Sequence, residues 1–270
     1  MALQALQLTD SWPAENVAVA ALAPGGELAR RGDASRVYRW ASVTKPVTAL
    51  AALVAAEEGT IDLDEPAGPL GSTIRHLLSH ASGLPFDAGA PISRPGTRRI
   101  YSNAGIEVAA ERIALHAEMP FAEYLSKAVL KPLGMQAELR GPPSAGLHGS
   151  LDDLAAFVRE LFAPTLIAPE TLAEAVSVQF PGLAGVIPDL GRFDPNDWGL
   201  GFELKDGKQP HFSGTLTSPG TFGHWGGSGT FFWVDPERGL ALAVLTDLEF
   251  GDWAKEAWPP FSDAVVRAQT

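Results

Sequence analysis

Ser42 and Lys45 stand three residues apart at the start of the apolar run 46–56. On a helix, residues at this spacing lie on one face, with Cβ atoms about 5–6 Å apart. Pro46 is tolerated only among the unpaired N–H groups of a first helical turn, so the helix should begin near Ser42 or Val43. The positive end of the helix dipole would then favour negative charge beside Ser42. A hydroxyl there, with an amine one turn inward, is a candidate activated nucleophile.

Simpler interpretations of both residues remain open at this point. Serine is a favoured helix N-cap, and a lysine in a first turn can be an exposed surface residue. Acyl transfer requires that Lys45 accept a proton near neutral pH, so its pKa must fall from about 10.4 towards 7–8. Burial and a nearby helix N-terminus both lower the pKa of a lysine. The functional interpretation therefore depends on the surroundings of Lys45.

The composition excludes several classes of function. The chain has 270 residues and is 46% hydrophobic, which allows a large core and one or two domains. Its net charge is -12 with no basic cluster, whereas nucleic-acid binding needs clustered Lys and Arg. The lack of cysteine excludes disulfides and thiol catalysis. The longest apolar stretch, 47–56, is far shorter than the ~20 residues of a membrane span.

The first residues, Met1–Gln4, lack the basic region and the long apolar region of a secretion signal. A cytoplasmic protein that associates with neither membrane nor nucleic acid is therefore expected, unless a leader has been removed. Neither a partner chain nor the oligomeric state can be read from the sequence.

Strand-like segments lie near both ends of the chain, with helical patterns between them. The segments 17–23 and 27–31 flank the turn Pro24-Gly25-Gly26, and β-rich runs follow at 200–204, 230–234 and 240–246. Helical patterns cover 42–59, 74–80, 104–115, 121–130, 151–162 and 169–179. A last amphipathic segment, 252–268, should break at Pro259-Pro260. This order predicts an α+β fold with one inserted helical lobe.

Five segments occur in the order found in a known superfamily. Ser42–Lys45 resembles the S-x-x-K motif of serine β-lactamases and penicillin-binding proteins. Tyr101-Ser102-Asn103 resembles the Y-x-N second motif of the class C branch. His224-Trp225-Gly226 resembles the H-x-G form of a third motif that is usually K-T-G. Residues 77–84 (LLSHASGL) and 132–135 (PLGM) are similar to two further family segments.

The likeness covers roughly residues 17–250, and it is closest to the class C branch and the family VIII carboxylesterases. It implies an antiparallel β-sheet flanked by helices, with an inserted all-helical lobe. Residues 1–62 and 180–270 would form the sheet domain and residues 63–179 the lobe. The active site would lie in the cleft between them, and no cofactor is expected.

The resemblance also implies roles for single residues. Ser42 would form an acyl-enzyme, and Tyr101, held partly as phenolate by Lys45, would be the general base or proton shuttle. Because their protons are coupled, naming one base is a convention. Asn103 would orient Lys45 and bind the acyl side of the substrate, although it is also an ordinary helix N-cap. The backbone N–H groups of Ser42 and Gly227 would hold the oxyanion.

The third motif departs from the usual pattern in two ways. His224 replaces lysine, and Trp225 replaces the residue whose hydroxyl helps to hold a β-lactam carboxylate. An indole offers a single N–H donor and a large apolar face instead. A W-G-G alignment over Trp225-Gly226-Gly227 is one residue away, but the spacing to Gly229-Thr230 favours His224. The candidate substrate-binding residues are His224, Trp225, Gly226 and Gly227. The alternatives are that His224 is a structural histidine and that Trp225 is a core residue.

Two other clusters invite a metal interpretation and do not support it. His76 and His80 are four residues apart, but Leu77 stands where an H-E-x-x-H zinc motif needs glutamate. No third ligand is evident, so no metal site is expected. The acidic run Asp62–Glu65 lies between Gly59 and Pro66, which favours a solvated loop.

The sequence therefore predicts a serine hydrolase for a small-molecule ester or amide. Trp225, the missing hydroxyl and the expected location favour ester hydrolysis over β-lactam hydrolysis. A D-amino-acid peptidase, a β-lactamase and a catalytically silent binding protein remain alternatives. The loops 85–99 and 181–197, which should shape the pocket, carry no readable substrate code.

Overall fold

The structure is a computed structural model that describes residues 2–269. Twelve strands are present in this range: β1 (Val17–Ala23), β2 (Gly26–Arg31), β3 (Tyr38–Arg39), β4 (Arg99–Ile100), β5 (Glu138–Leu139), β6 (Leu147–Gly149), β7 (Gly185–Ile187), β8 (Gly191–Phe193), β9 (Glu203–Leu204), β10 (Phe222–Gly226), β11 (Thr230–Asp235) and β12 (Leu240–Thr246). The α-helices in it are α1 (Ala2–Leu6), α2 (Thr44–Glu57), α3 (Ile74–Leu78), α4 (Asn103–His116), α5 (Phe121–Leu125), α6 (Leu151–Glu160), α7 (Pro169–Ala175) and α8 (Asp252–Arg267).

A six-stranded antiparallel sheet forms the centre, in the order β2-β1-β12-β11-β10-β9. The first and last long strands of the chain pair with each other, with Val17 opposite Thr246. This pairing explains why strand patterns appear at both ends of the sequence. Together with the helices on both faces, it gives the mixed α+β architecture that the sequence predicts.

Both faces of the central sheet are apolar because successive side chains of a strand point to opposite sides. On β12, Leu242 and Val244 lie in a cluster with Trp258 of α8, whereas Ala243 and Leu245 lie in the larger cluster with α2. Strand β12 is buried along its whole length. The sheet is therefore the middle layer between α1 and α8 on one side and α2 and α6 on the other.

Helix α2 is the buried helix behind the first motif. Its residues from Thr44 to Ala55 are all buried, which is why the segment is apolar around the helix. A short 3₁₀ turn over Ala41–Val43 leads into it. Ser42 thus lies in a 3₁₀ turn at the helix entrance, close to the predicted start.

Two small three-stranded sheets, β3-β6-β5 and β4-β7-β8, hold the segments around the site. Strand β4 runs parallel to β7, and β7 is antiparallel to β8. The sequence did not predict these strands, since two or three residues are too few to show an alternating pattern.

Helix α8 continues through Pro259 and Pro260, so the predicted break is wrong. Prolines remove helical hydrogen bonds, but Trp258, Phe261 and Val265 pack against the central sheet. This burial offsets the missing bonds. Helix α7 also ends earlier than predicted, at Ala175.

Helix α6 lies within the predicted lobe of residues 63–179, yet it packs on the central sheet next to β1 and β12. Phe157 contacts Phe232 of β11 edge-on, with ring centroids 5.6 Å apart. The proposed division into residues 1–62 with 180–270, and 63–179, remains a prediction. Among residues 2–269, none of the helices combines the length and hydropathy needed to cross a bilayer.

Candidate active site

The turn that carries Ser42 is held by β-structure on both sides. Trp40 donates its N–H to the Leu147 carbonyl at 2.9 Å, and its carbonyl accepts from Thr230 Oγ1 at 2.9 Å. Between Trp40 and Ser42, Ala41 has φ of 46°, a left-handed conformation that residues with a side chain rarely adopt. Such strain persists only when the surroundings over-determine it, and here it presents the half-buried Ser42 at the start of α2.

Lys45 is the second residue of α2 and is fully buried. Its Nζ is 2.9 Å from Ser42 Oγ and donates a second hydrogen bond to the Ser144 carbonyl at 3.0 Å. Burial lowers the pKa of this amine from 10.5 to about 7, although the negative charges of Glu107 and Asp87 oppose the shift. A substantial fraction of Lys45 is therefore neutral near pH 7 and able to accept the Ser42 proton.

Tyr101 lies next to the lysine, with its ring centroid 4.8 Å from Lys45 Nζ. Burial raises the pKa of the phenol well above its usual value, and the interaction with the Ser42 hydroxyl lowers it only in part. The neutral phenol is therefore favoured over the partial phenolate that we expected. The two pKa directions favour Lys45 as the base and Tyr101 as a proton donor.

Three aromatic side chains surround the Tyr101 ring. The centroids of His80, Trp198 and His224 lie 4.7, 5.6 and 5.9 Å from it. His80, in the LLSHASGL segment, accepts the Ser102 N–H on Nδ1 at 3.1 Å. This contact gives the LLSHASGL segment a structural role, because it holds the backbone next to Tyr101. Trp198 was missed because a tryptophan in a loop carries no motif.

His224 of β10 faces this cluster and is buried. Its Nδ1 is 2.7 Å from the Trp225 carbonyl, and Nε2 has no partner among residues 2–269. Burial, together with the Lys45 charge, lowers its pKa to about 3. His224 is therefore neutral and does not supply the positive charge of a K-T-G lysine.

The side chain of Trp225 points away from Ser42, which corrects its assignment as a substrate-binding residue. It belongs to the cluster beneath α8, and its ring centroid is 4.3 Å from that of Phe250. The alternation of side chains along β10 places His224 on one face and Trp225 on the other. The core interpretation of Trp225 is the one that the structure supports, and His224 is the third-motif residue on the site's side.

Gly226 is the last residue of β10, beside the turn that carries Ser42, and Gly227 follows it. A Cβ on Gly226 would lie 2.4 Å from the Trp40 carbonyl oxygen and 3.2 Å from the Ser42 nitrogen. A Cβ on Gly227 would meet nothing within 4 Å. Gly226 thus permits the close approach of strand and turn, while the exposed Gly227 lies at the edge of the cleft.

Asn103 does not orient Lys45 in the structure. Its Nδ2 donates to Asp87 Oδ1 at 3.2 Å, and its Oδ1 has no partner within the described range. Nor is it the N-cap of α4: Ser102 takes that position and accepts the Gly105 N–H on Oγ at 2.9 Å.

Ser144 is the residue that contacts Lys45 instead. Its carbonyl binds Lys45, and its Oγ donates to Glu107 Oε1 at 2.6 Å. Sequence reasoning missed this residue because a backbone carbonyl contact leaves no residue-type signal.

The remaining candidates lie outside the cluster. His76 caps α3 with Thr73 and stacks on Phe180, with centroids 4.0 Å apart. Asp64 and Glu65 form ion pairs with Arg75 and Arg112. Each of these side chains thus has a local structural contact.

Comparisons with known proteins agree with this geometry. The sequence model of the Beta-lactamase family matches residues 14–137 and 136–265. The crystal structure of a beta-lactamase from Mycobacterium bovis is 49% identical, with a TM-score of 0.97 over 98% of this chain and 99% of that one. Both findings confirm the recognised superfamily and its fold.

Two curated relatives are more distant. Esterase EstB of Burkholderia gladioli is 27% identical over 79% of this chain and 78% of its own length. Penicillin-binding protein 4* of Bacillus subtilis is 26% identical over 86% of this chain, which spans only 58% of that protein. With a family model that matches nearly the whole sequence, the chain belongs to the beta-lactamase family of serine hydrolases.

Proposed function

We propose that the protein hydrolyses small carboxylic esters through an acyl-enzyme on Ser42. The observation that carries this proposal is the 2.9 Å contact between Ser42 Oγ and the buried amine of Lys45, whose pKa is about 7. A poised base in hydrogen-bond reach is what converts a serine hydroxyl into a nucleophile at neutral pH.

In the acylation step, neutral Lys45 accepts the Ser42 proton while Oγ attacks the ester carbonyl. The backbone N–H groups of Ser42 and Gly227 stabilise the negative oxygen of the tetrahedral intermediate. Tyr101 gives its proton to the departing alkoxide and regains one from the Lys45 ammonium. Water then attacks the acyl-enzyme by the reverse proton route, which releases the acid and restores Ser42.

Esters are favoured over β-lactams because the third motif lacks the groups that hold a β-lactam carboxylate. His224 is neutral, and Trp225 neither carries a hydroxyl nor faces the cleft. The relative named as an esterase supports the same preference. A β-lactamase and a D-amino-acid peptidase remain the enzymatic alternatives, and a silent binding protein is the third.

The test compares the wild type, Ser42→Ala and the matched surface control Ser35→Ala on 4-nitrophenyl acetate and butyrate, with nitrocefin as the β-lactam. Loss of the nucleophile should lower kcat/KM by at least about 10³-fold, with no loss in the control. A folded Ser42→Ala protein with unchanged hydrolysis would sink the mechanism. Nitrocefin turnover comparable to ester turnover would instead favour a β-lactamase. If no substrate is cleaved, labelling of Ser42 by a fluorophosphonate separates a peptidase from a silent protein.

A further inference from the structure

A groove of about 560 Å³ adjoins Tyr101 and has no role in the mechanism above. Its walls come from the loop before β4 and from the β7–β8 hairpin, the two regions whose sequences carry no substrate code. The volume is in the range of sites that hold small organic molecules. The groove therefore has room for a substantial part of a substrate.

The small sheet β4-β7-β8 gives the groove an apolar floor. Ile100 is paired with Val186, and Val186 with Arg192, so these three side chains form one row across the strands. All three line the groove. Phe86 and Ile92 of the facing loop complete the apolar surface.

These apolar side chains are unusually open to solvent. Phe86, Ile92 and Val186 are 45%, 61% and 55% exposed. A cluster of exposed apolar side chains marks a binding region more often than single exposed apolar side chains do. The Phe86 ring also stacks on Tyr101 at 5.9 Å, so this surface is continuous with the catalytic cluster.

Two arginines stand beside this floor in a protein whose net charge is -12. Arg98 and Arg192 both line the groove and are exposed. Across the described part of the chain, Arg98 forms no hydrogen bond or ion pair. Arg192 reaches only Asp194 at 3.3 Å, with both side chains 66% exposed. An exposed pair of this kind contributes little, which leaves both guanidinium groups available to an anion.

We propose that the groove binds an extended apolar chain ending in a carboxylate, so that the preferred substrate of Ser42 is an amphipathic anionic ester. Ile100 and Val186 of this row would hold the chain together with Phe86 and Ile92. Arg98 and Arg192 would hold the carboxylate by charge-assisted hydrogen bonds. That this ligand is a substrate rests on the proposed function, whereas its binding to the groove does not. None of the third-motif residues lines the groove, so an anion here does not take the place of a β-lactam carboxylate.

The experiment measures binding on the Ser42→Ala protein by calorimetry, so that turnover plays no part. Octanoate is compared with octanamide, which has the same chain without charge, and with acetate, which has the charge without the chain. We expect octanoate to bind at least about fivefold more tightly than octanamide and more than tenfold more tightly than acetate. The double variant Arg98→Gln/Arg192→Gln should lose the preference for octanoate over octanamide.

A second double variant, Arg140→Gln/Arg159→Gln, removes the same charge from exposed sites outside the groove and is the matched control. Equal affinity for octanoate and octanamide, or an equal loss in both double variants, overturns the proposal. In the wild type, octanoate should compete with 4-nitrophenyl acetate. If no ester is cleaved while octanoate binding still depends on Arg98 and Arg192, the proposed function fails and the groove assignment stands.

Discussion

At the scale of single residues, one physical cause shifts the pKa values of Lys45 and Tyr101 in opposite directions. Desolvation disfavours the charged form of each group, so it lowers the pKa of the amine and raises that of the phenol. Near neutral pH, a neutral base and a neutral acid can then stand side by side next to Ser42. The proposed roles of base and proton donor rest on this burial and need no ion pair between the two residues.

The pH dependence of catalysis tests this assignment. Only the neutral amine of Lys45 can accept a proton, so kcat/KM for a neutral ester should fall about tenfold per pH unit below about 7 and level off above it. Burial holds the pKa of His80 well below its usual value and that of His224 at about 3, so neither histidine explains an inflection near 7. The measurement is a kcat/KM profile from pH 5 to 9.

Tyr101→Phe is the matched variant for this profile. It should lower the rate by roughly 10²-fold, because the leaving group loses its proton donor, and keep the inflection where it was. A wild-type profile that is flat, or one that falls as the pH rises through 7, would contradict Lys45 as the base.

At this scale the sequence predicted which side chains lie together, while their catalytic roles remain predictions. Ser42, Lys45, Tyr101 and His224 are brought together as the motifs indicated. Trp225 was misassigned because a motif gives spacing but not the face of a strand, and one register step reverses that face. Ser144 was missed for a different reason: its carbonyl, rather than its side chain, holds Lys45.

At the scale of elements, the approach of β10 to the turn before α2 builds the cleft. A Gly226→Ala methyl group would lie 2.4 Å from the Trp40 carbonyl oxygen and 3.2 Å from the Ser42 nitrogen. We expect a loss of about 2–3 kcal/mol in the free energy of unfolding. We also expect kcat/KM to fall about 10²-fold, because the oxyanion donor of Ser42 moves.

Gly227→Ala is the control on the same turn. Its Cβ would meet nothing within 4 Å, and the substitution keeps the backbone N–H. Stability should therefore remain near the wild-type value in denaturant melts. An equal loss of stability from the two substitutions would show that close packing at Gly226 is not what the cleft requires.

Arg99 joins three loops around the site and supplies the second element-scale prediction. Its buried guanidinium donates to the carbonyls of Ser79, Gln179 and Asn196 at 2.6, 2.7 and 3.1 Å, and burial lowers its pKa to about 10. Arg99→Met removes these donors and leaves buried carbonyls unpaired, at a cost of about 3–5 kcal/mol. Urea unfolding measures the difference.

The neighbouring Arg98→Met is the control, because its side chain is exposed and should change stability by less than about 0.5 kcal/mol. Similar midpoints for the two variants would refute the role of Arg99. The sequence did not single out Arg99, since a buried arginine bound only to carbonyls resembles any other arginine in a loop.

At the scale of the whole molecule, one continuous core joins the sheet to the helices of the predicted lobe. The larger cluster contains Ala20 and Ala243 of the sheet together with Ile106 of α4 and Leu125 of α5. Strand patterns at the chain ends and helical patterns between them were readable because long elements repeat their spacing. The shared core could not be read from the sequence, because it depends on contacts between distant segments.

The shared core predicts that the lobe and the sheet unfold together. Ile106 is fully buried in α4, so Ile106→Ala should cost about 2–5 kcal/mol. Leu115→Ala, on the same helix but exposed, is the control and should leave the transition nearly unchanged.

Two signals follow different parts of the molecule during thermal unfolding. Far-UV circular dichroism reports the helices, and fluorescence reports largely the sheet, because Trp225, Trp233 and Trp258 lie in the cluster under α8. If the core is continuous, Ile106→Ala lowers the midpoint of both signals by the same amount, as two-state unfolding requires. A fluorescence transition that stays at the wild-type midpoint while the dichroism transition shifts would instead mean that residues 63–179 contain an independently folding lobe, with the catalytic cleft at a true domain boundary.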